Sequence, residues 1–266
     1  MVSWIMPRAF AIGTVSVSAL GVRGPRVMAA GPAFRQCWYI PGRLFYHTPF
    51  PFHFVMTMTE PAAAPVRLGK EDIPLAAKML ACAFFSDPKM THLLPEVSAR
   101  TDRSGFLFEF ELRYGLIYGE VYATSPACEG VCVWLPSEKS AINLWRAFRA
   151  GGFRLRDQLG PGGLNRLLAF SDRVDELHAK HLSTPHTYLF FIGIDPAHQG
   201  KGYAGRLIRP MLERLDSKGT PCYLNTQNEK NVGVYEHFGF RVVDRQMIPG
   251  SSIMHTAMVR NPGTAK

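Results

Sequence analysis

The feature that most constrains the fold is a glycine-rich connection between an apolar strand and an amphipathic helix. Residues 187–194 form a nearly continuous apolar run, and residues 203–217 place apolar side chains at helical spacing. The short segment between them contains glycines at 200 and 202. A strand joined to a helix by so short a connection is typical of a domain in which helices pack on a sheet. The sequence therefore predicts a mixed α/β (α+β) domain.

Periodicity and turn residues predict the other elements. The predicted helices span residues 74–85, 102–118, 202–217 and 230–238. A helical insertion is predicted over residues 137–182, with breaks at Gly151 and at residues 160–163. The predicted strands span residues 66–68, 120–124, 130–135, 187–194, 222–225, 240–245 and 253–259.

The first 59 residues differ in composition from the rest of the chain. They contain five arginines and no Asp, Glu or Lys, so they hold most of the net charge of +9. A cleaved organelle-targeting segment, a secretory signal and an untranslated stretch ahead of Met56 or Met58 are three alternatives, and we favour the last. We expect residues 1–59 to be a disordered extension of the domain at 64–260. The expected location is the cytoplasm, or the mitochondrion if the extension is a transit peptide.

Several classes of protein are disfavoured by the sequence. No run of about 18 apolar residues predicts a membrane span, and no dense basic stripe predicts nucleic-acid binding. His178, His181 and His186 lack a clear third metal ligand, so we expect surface or interface histidines and no metal. The cysteines are scattered and predict reduced, mostly buried thiols, at positions 37, 82, 128, 132 and 222.

The glycine-rich loop suits a phosphate ligand. Glycines at 200, 202 and 205 let the backbone approach closely, and the following helix directs its free N–H groups toward the loop. A dinucleotide fold would need an acidic residue at the end of the next strand, where Asn225 stands. A Walker loop would need Ser or Thr after Lys201, where Gly202 stands.

Two linked motifs make the chain resemble the GNAT acetyltransferases. Residues 199–204, Q-G-K-G-Y-A, match the Q/R-x-x-G-x-G/A signature of that family. The second signature follows about thirty residues later and places Asn231, Tyr235 and Gly239-Phe240 at the expected spacing. The resemblance covers residues 64–260. It implies a mostly antiparallel central sheet with one splayed strand pair, flanked by helices.

Further segments are similar to puromycin N-acetyltransferase-like proteins. They are V-R-L-x-x-x-D-I-P at 66–74 and V-W-L-P at 133–136. The chain departs from that pattern at L-N-T, where those proteins have L-E-T. Asn225 cannot act as a carboxylate, so a role that rests on that acid, and puromycin as the substrate, are both in doubt.

The resemblance implies an N-acetyltransferase that moves an acetyl group from acetyl-CoA to a primary amine of a small molecule by direct attack in a ternary complex. Tyr235 is expected to protonate the leaving thiolate. The general base is left open between Glu109, Glu111 and a water chain, as are the acceptor and the oligomeric state. A catalytically silent CoA-binding module is the alternative. The residues expected to bind acetyl-CoA are Ile192, Gly193, Ile194, Gln199, Gly200, Lys201, Gly202, Tyr203, Ala204, Gly205, Asn231 and Tyr235.

The acceptor site is expected between the early helices and the late loops. Helix 102–118, the 137–182 insertion and the turn at 249–252 are the predicted walls. Phe106, Phe110 and Trp145 would suit a small hydrophobic amine.

Overall fold

The computed structural model describes residues 64–264 and the backbone of two short strands near the N-terminus. These strands, β1 (Cys37–Ile40) and β2 (Arg43–Tyr46), pair as an antiparallel hairpin. The rest of the predicted extension lies outside the described residues, so its disorder stays a prediction. No described helix has the length and apolarity needed to cross a membrane.

The chain divides into two compact units, Met1–Thr57 and Met58–Lys266. The second unit contains seven strands and seven helices among its described residues. In chain order they are β3 (Val66–Arg67), α1 (Ile73–Ala83), α2 (Pro88–Leu93), α3 (Val97–Tyr118), β4 (Glu120–Ala123), β5 (Gly130–Pro136), α4 (Leu144–Arg149), α5 (Gly152–His181), β6 (Thr187–Ile194), α6 (Tyr203–Ser217), β7 (Cys222–Thr226), α7 (Val232–His237), β8 (Arg241–Met247) and β9 (Met254–Arg260).

The seven strands form one sheet in the order β3-β4-β5-β6-β7-β9-β8. Every neighbouring pair is antiparallel except β6 and β7, which run parallel because α6 connects them. The predicted mixed, mostly antiparallel sheet flanked by helices is confirmed.

The parallel pair β6 and β7 separates after three residue pairs. Leu189 faces Leu224 in the last pair, yet β6 continues to Ile194. On its other side β6 stays paired with β5, through a register shift between Val133 and Trp134. A bulge of this kind bends a strand and increases its twist. The far half of β6 therefore leaves β7, and this is the predicted splayed strand pair.

Apolar side chains cover both faces of the sheet. Helices α1, α3 and α5 pack on one face, where Leu80, Phe108 and Tyr114 are almost completely buried. Helix α6 packs on the other face through the apolar positions that its sequence predicts, Leu207, Ile208, Met211, Leu212 and Leu215. The position of α6 fixes where its N-terminus meets the sheet.

Helix boundaries differ from the predictions in three places. Helix α3 begins at Val97, five residues before the predicted start. Helix α2 follows the Ser-Asp-Pro segment, which predicted only a turn. The predicted helix 230–238 is a 3-10 turn at Glu229–Asn231 followed by α7. The breaks in the insertion are confirmed, since α4 ends at Arg149 and α5 kinks at Gly160, which has φ 66°.

Candidate active site

A cleft of about 1540 Å³ opens where β6 leaves β7. We call it the cofactor cleft. Helices α6 and α7 form its other walls. Of the predicted binding residues, Lys201 does not line this cleft. Its Nζ turns back and donates to the Ala197 carbonyl at 2.8 Å. The predicted residues that line the cleft are Ile192, Gly193, Ile194, Gln199, Gly200, Gly202, Tyr203, Ala204, Gly205, Asn231 and Tyr235.

The glycine-rich loop has a backbone that other residues rarely adopt. Gly200 and Gly202 have φ of 73° and 80°. A Cβ built on either would meet no described atom within 4 Å, so space beside the loop is open. Gly202 is also the N-cap of α6, and the first N–H groups of a helix lack partners inside the helix. Together these features form a cradle for an anion such as pyrophosphate.

The free edge of β6 presents backbone groups to the same cleft. The N–H of Asp195 donates to Glu129 at 2.8 Å, on the side of β5. Successive residues of a strand direct their backbone groups to opposite edges, so Ile194 and Ile192 direct theirs away from β5. Consistent with this, the Ile194 carbonyl accepts a bond from the Gln199 side chain at 3.2 Å. This edge could hold an amide-containing arm as an added strand would.

A second cavity of about 640 Å³ lies on the other side of the splayed strands. We call it the acceptor cavity. It meets the cofactor cleft at residues that line both spaces: Phe84, Asp87, Ile192, Asn231 and Tyr235. Ten aromatic rings line the acceptor cavity, which suits an apolar ligand body. They are Phe84, Phe108, Phe110, Phe148, Phe153, Phe170, Tyr188, Phe190, Phe191 and Tyr235.

The walls of the acceptor cavity agree only in part with the predictions. Helix α3 and the 137–182 insertion line it, but the turn at 249–252 does not. Of the three aromatics expected there, Phe110 lines the cavity while Phe106 and Trp145 do not. Trp145 is instead 66% exposed on the outer surface of α4.

Tyr235 lies at the junction of the two spaces. The side chain is buried, and its ring packs edge-to-face on Phe240 at 6.2 Å between centroids. Burial raises the pKa of Tyr235, and the charge of Asp87 raises it further. The phenol is therefore neutral at physiological pH and can donate its proton.

Asp87 is a candidate functional residue that the sequence did not single out. Its Oδ1 accepts the N–H of Lys89 at 2.9 Å and so caps α2. Burial raises the pKa of Asp87, an effect that the neighbouring N–H groups and Lys89 partly oppose. A carboxylate with a raised pKa beside Tyr235 is the arrangement expected of a proton acceptor. The sequence contains the Asp-Pro capping signal, but it does not indicate that Asp87 lies near Tyr235.

The two glutamates proposed as bases occupy different environments. Glu111 lines the acceptor cavity, and its buried carboxylate pairs with Lys89 at 3.2 Å. Glu109 lies outside the cavity and pairs with Arg113 at 3.1 Å and Arg154 at 3.6 Å. Glu111 is therefore the only one of the two that an acceptor in the cavity could reach.

Asn225 belongs to a hydrogen-bond chain on the cavity floor. Its Nδ2 donates to the Tyr188 hydroxyl at 2.6 Å, and its Oδ1 accepts from Gln227 at 2.9 Å. Gln227 in turn contacts His255 Nδ1 at 3.2 Å. This position therefore orients a neutral tyrosine rather than supplying a negative charge.

His178 and His186 are buried, so the expectation that they are surface or interface residues was wrong. Their Nε2 atoms lie 2.6 Å apart, and the ring of His178 stacks on Tyr223 with 4.0 Å between centroids. Burial lowers the pKa of His178 to about 3 and also lowers that of His186. The pair is neutral and fills the space between α5 and the sheet. His181 instead pairs with Asp244 at 2.8 Å.

Known proteins with similar sequences share the motifs of the cofactor cleft. A model of the Acetyltransferase (GNAT) family matches residues 165–240, which contain the glycine-rich loop and α7. Both signature motifs therefore lie in a segment that is similar to this family. An uncharacterized N-acetyltransferase of Schizosaccharomyces pombe is 28% identical over 183 residues, which cover 66% of this chain and 74% of that protein. The similarity to an acetyltransferase therefore extends over 66% of this chain.

Solved structures support the GNAT fold. The histone acetyltransferase HPA2 and related acetyltransferase from Corynebacterium glutamicum matches with a TM-score of 0.53 and 17% identity, over 76% of this chain and 98% of that chain. The C-terminal condensation domain of Ebony, in complex with beta-alanyl-dopamine, matches with a TM-score of 0.51 and 7% identity, over 74% of this chain and 97% of that one. At such identities the likeness concerns the fold. The resemblance to puromycin N-acetyltransferases stays a prediction.

Proposed function

We propose that this protein transfers the acetyl group of acetyl-CoA to a primary amine of a small molecule, by direct attack in a ternary complex. The observation that carries the proposal is the junction between the two spaces. Asp87 and Tyr235 both face it, one as a carboxylate and the other as a neutral phenol. The cofactor cleft supports binding of CoA, and the aromatic acceptor cavity supports a small amine with an apolar body.

Different parts of the cofactor cleft would bind different parts of acetyl-CoA. The N–H groups at the start of α6, with the loop from Gln199 to Gly205, would hold the pyrophosphate. The free edge at Ile192 and Ile194 would hold the pantetheine arm. The thioester would then supply the acetyl group at the junction, within reach of Tyr235.

The reaction needs one proton acceptor and one proton donor. A primary amine arrives as an ammonium ion, and Asp87 would accept the proton that frees its lone pair. As the new C–N bond forms, a β6 N–H would stabilise the negative charge on the thioester oxygen. As the C–S bond breaks, Tyr235 would give its proton to the thiolate. The second proton lost from the nitrogen restores Tyr235 through solvent, so the net products are the amide, free CoA and one proton.

Release of free thiol from acetyl-CoA tests this proposal. The purified chain would be assayed with a panel of amines, and mass spectrometry would identify any product that is 42 Da heavier, the mass that one acetyl group adds. Thiol release that depends on an amine, with matching acetylated product, is expected. Binding of acetyl-CoA without transfer to any amine would instead favour the silent CoA-binding module.

A further inference from the structure

The α5 wall of the acceptor cavity carries two carboxylates, those of Asp172 and Asp175. Asp175 is half-buried and lines the cavity, and Asp172 lies one helical turn earlier, more exposed, on the same wall. Within residues 64–264, no hydrogen bond or ion pair joins either side chain to another residue. Asp175 lines only the acceptor cavity and not the cofactor cleft.

The other charges of the cavity are already engaged. Glu111 pairs with Lys89 at 3.2 Å, and Arg156 pairs with Asp157 at 3.1 Å. Asp87 caps α2 at the junction with the cofactor cleft. Asp175 and its neighbour therefore leave uncompensated negative charge in a space walled by aromatic rings.

This environment favours a cation beside Asp175. Burial, with the charge of Asp172, raises the pKa of Asp175 to about 6. Burial thus disfavours the ionised form of Asp175, and a positive ligand would relieve that cost. The rings around it add to the preference, because aromatic faces attract cations. Lys89 already shows this contact, with Nζ 5.9 Å from the centre of the Phe170 ring.

We propose that Asp175 binds a second cationic group of the acceptor, so that the preferred acceptor is a diamine with an apolar segment between its nitrogens. One nitrogen would lie at the junction with Asp87 and Tyr235, and the other at Asp175 on the α5 wall. The inference rests on the proposed function, because only the first nitrogen is acetylated.

Two acceptors that differ in one charge test this inference. The pair is 4-(aminomethyl)benzylamine and 4-methylbenzylamine, which share the ring and one reacting amine. We expect the wild-type chain to bind the diamine on the order of tenfold more tightly, because a charge-assisted hydrogen bond contributes about that factor. Asp175→Asn should remove this preference by raising KM for the diamine, with kcat for either amine changed little.

Glu176→Gln is the matched control. It removes one charge from the next position of α5, where Glu176 is exposed and pairs with Arg173 at 2.7 Å. The control should keep the preference for the diamine. If Asp175→Asn does not fold, Asp172→Asn on the exposed turn should still reduce the preference.

Two outcomes would overturn the inference. The first is an unchanged ratio of diamine to monoamine affinity in Asp175→Asn. The second is an equal loss of affinity for both amines in Asp175→Asn, which would make Asp175 a contact of the reacting nitrogen. Binding would also be measured by thermal shift without acetyl-CoA. A preference that depends on Asp175, seen without any thiol release, would support the cation site and contradict the proposed function.

Discussion

Asp87 and Tyr235 lie far apart in the sequence and meet at the junction of the cofactor cleft and the acceptor cavity. They are close enough for the charge of Asp87 to raise the pKa of Tyr235. Helix α2 brings one to the junction and α7 the other, from opposite sides of the splayed strands. The proposed proton acceptor for the amine and the proposed proton donor for the thiolate thus meet at one point.

The first prediction concerns the hydroxyl of Tyr235. Tyr235→Phe keeps the ring packing on Phe240 and removes the proton donor. We expect kcat to fall on the order of 10²-fold, with little change in the dissociation constant of acetyl-CoA. Steady-state kinetics and calorimetry would measure the two quantities. A kcat near that of the wild type would leave solvent as the donor to the thiolate.

The second prediction concerns the carboxylate of Asp87. Asp87→Asn keeps an oxygen that can accept the N–H of Lys89, so α2 stays capped. We expect kcat/KM at neutral pH to fall on the order of 10²-fold. A base acts only when ionised, so wild-type kcat/KM should rise as pH passes the raised pKa of Asp87. The variant should lose that rise.

Asp72→Asn is the control for this change. Asp72 also accepts a backbone N–H at the start of a helix, from Gly69 at 2.7 Å, but lies outside both spaces. It should keep the wild-type pH profile. A pH profile shared by Asp87→Asn and the wild type would exclude Asp87 as the base.

The third prediction concerns the glycine-rich loop. Gly202→Val places a branched side chain beside the phosphate cradle and strains a residue with φ 80°. We expect acetyl-CoA no longer to raise the melting temperature. Gly219→Val is the matched control, because Gly219 has φ 63° and equally open surroundings but lies outside the cleft. It should carry a similar strain, about 1–2 kcal/mol, and keep the thermal shift.

The fourth prediction concerns the N-terminal extension. We expect a chain without residues 1–58 to fold and to retain acetyl-CoA binding, because the unit Met58–Lys266 contains its own sheet and core. Soluble expression and the thermal shift with acetyl-CoA would be compared with the full chain. Loss of both would show that the extension is a structural part of the domain.

The fifth prediction concerns the partly buried ion pair that joins α6 to β9. Arg260 donates from Nη1 and Nη2 to the two carboxylate oxygens of Asp216 at 2.7 Å each, and Arg260 is 2% exposed. Asp216→Asn leaves that cation without its counter-charge. We expect a loss of about 2 kcal/mol in the free energy of unfolding, less than for a fully buried pair because Asp216 is partly in water. Urea denaturation would measure it.

The pH dependence of this pair has a definite sign. The bond from Arg260 holds the pKa of Asp216 below its ordinary value of 3.8. The stabilisation is therefore complete above pH 3.8 and is lost as the pH falls toward the lower pKa of the folded protein. Asp216→Asn should lack this loss, whereas an unchanged acid limb in the variant would assign acid sensitivity to other groups.

Local patterns predicted most of the scaffold. The apolar spacing of α6 and the strand before it are properties of neighbouring residues, and both are confirmed. The breaks at Gly151 and Gly160 follow from glycine backbones with positive φ. Helix α2 was missed because six residues carry too little periodicity to separate a helix from a turn.

The sequence by itself determined the strand, glycine loop and helix that build the cofactor cleft, because these are contiguous and their backbone geometry depends on local residue types. Only the tertiary structure decided which side chains share the acceptor cavity. Asp87 precedes α2, Tyr235 lies in α7 and Asp175 in α5, and the packing of those helices on a splayed sheet brings the three side chains together. The burial of His178 and His186 was hidden for the same reason, because the exposed fraction of a side chain depends on what packs against it.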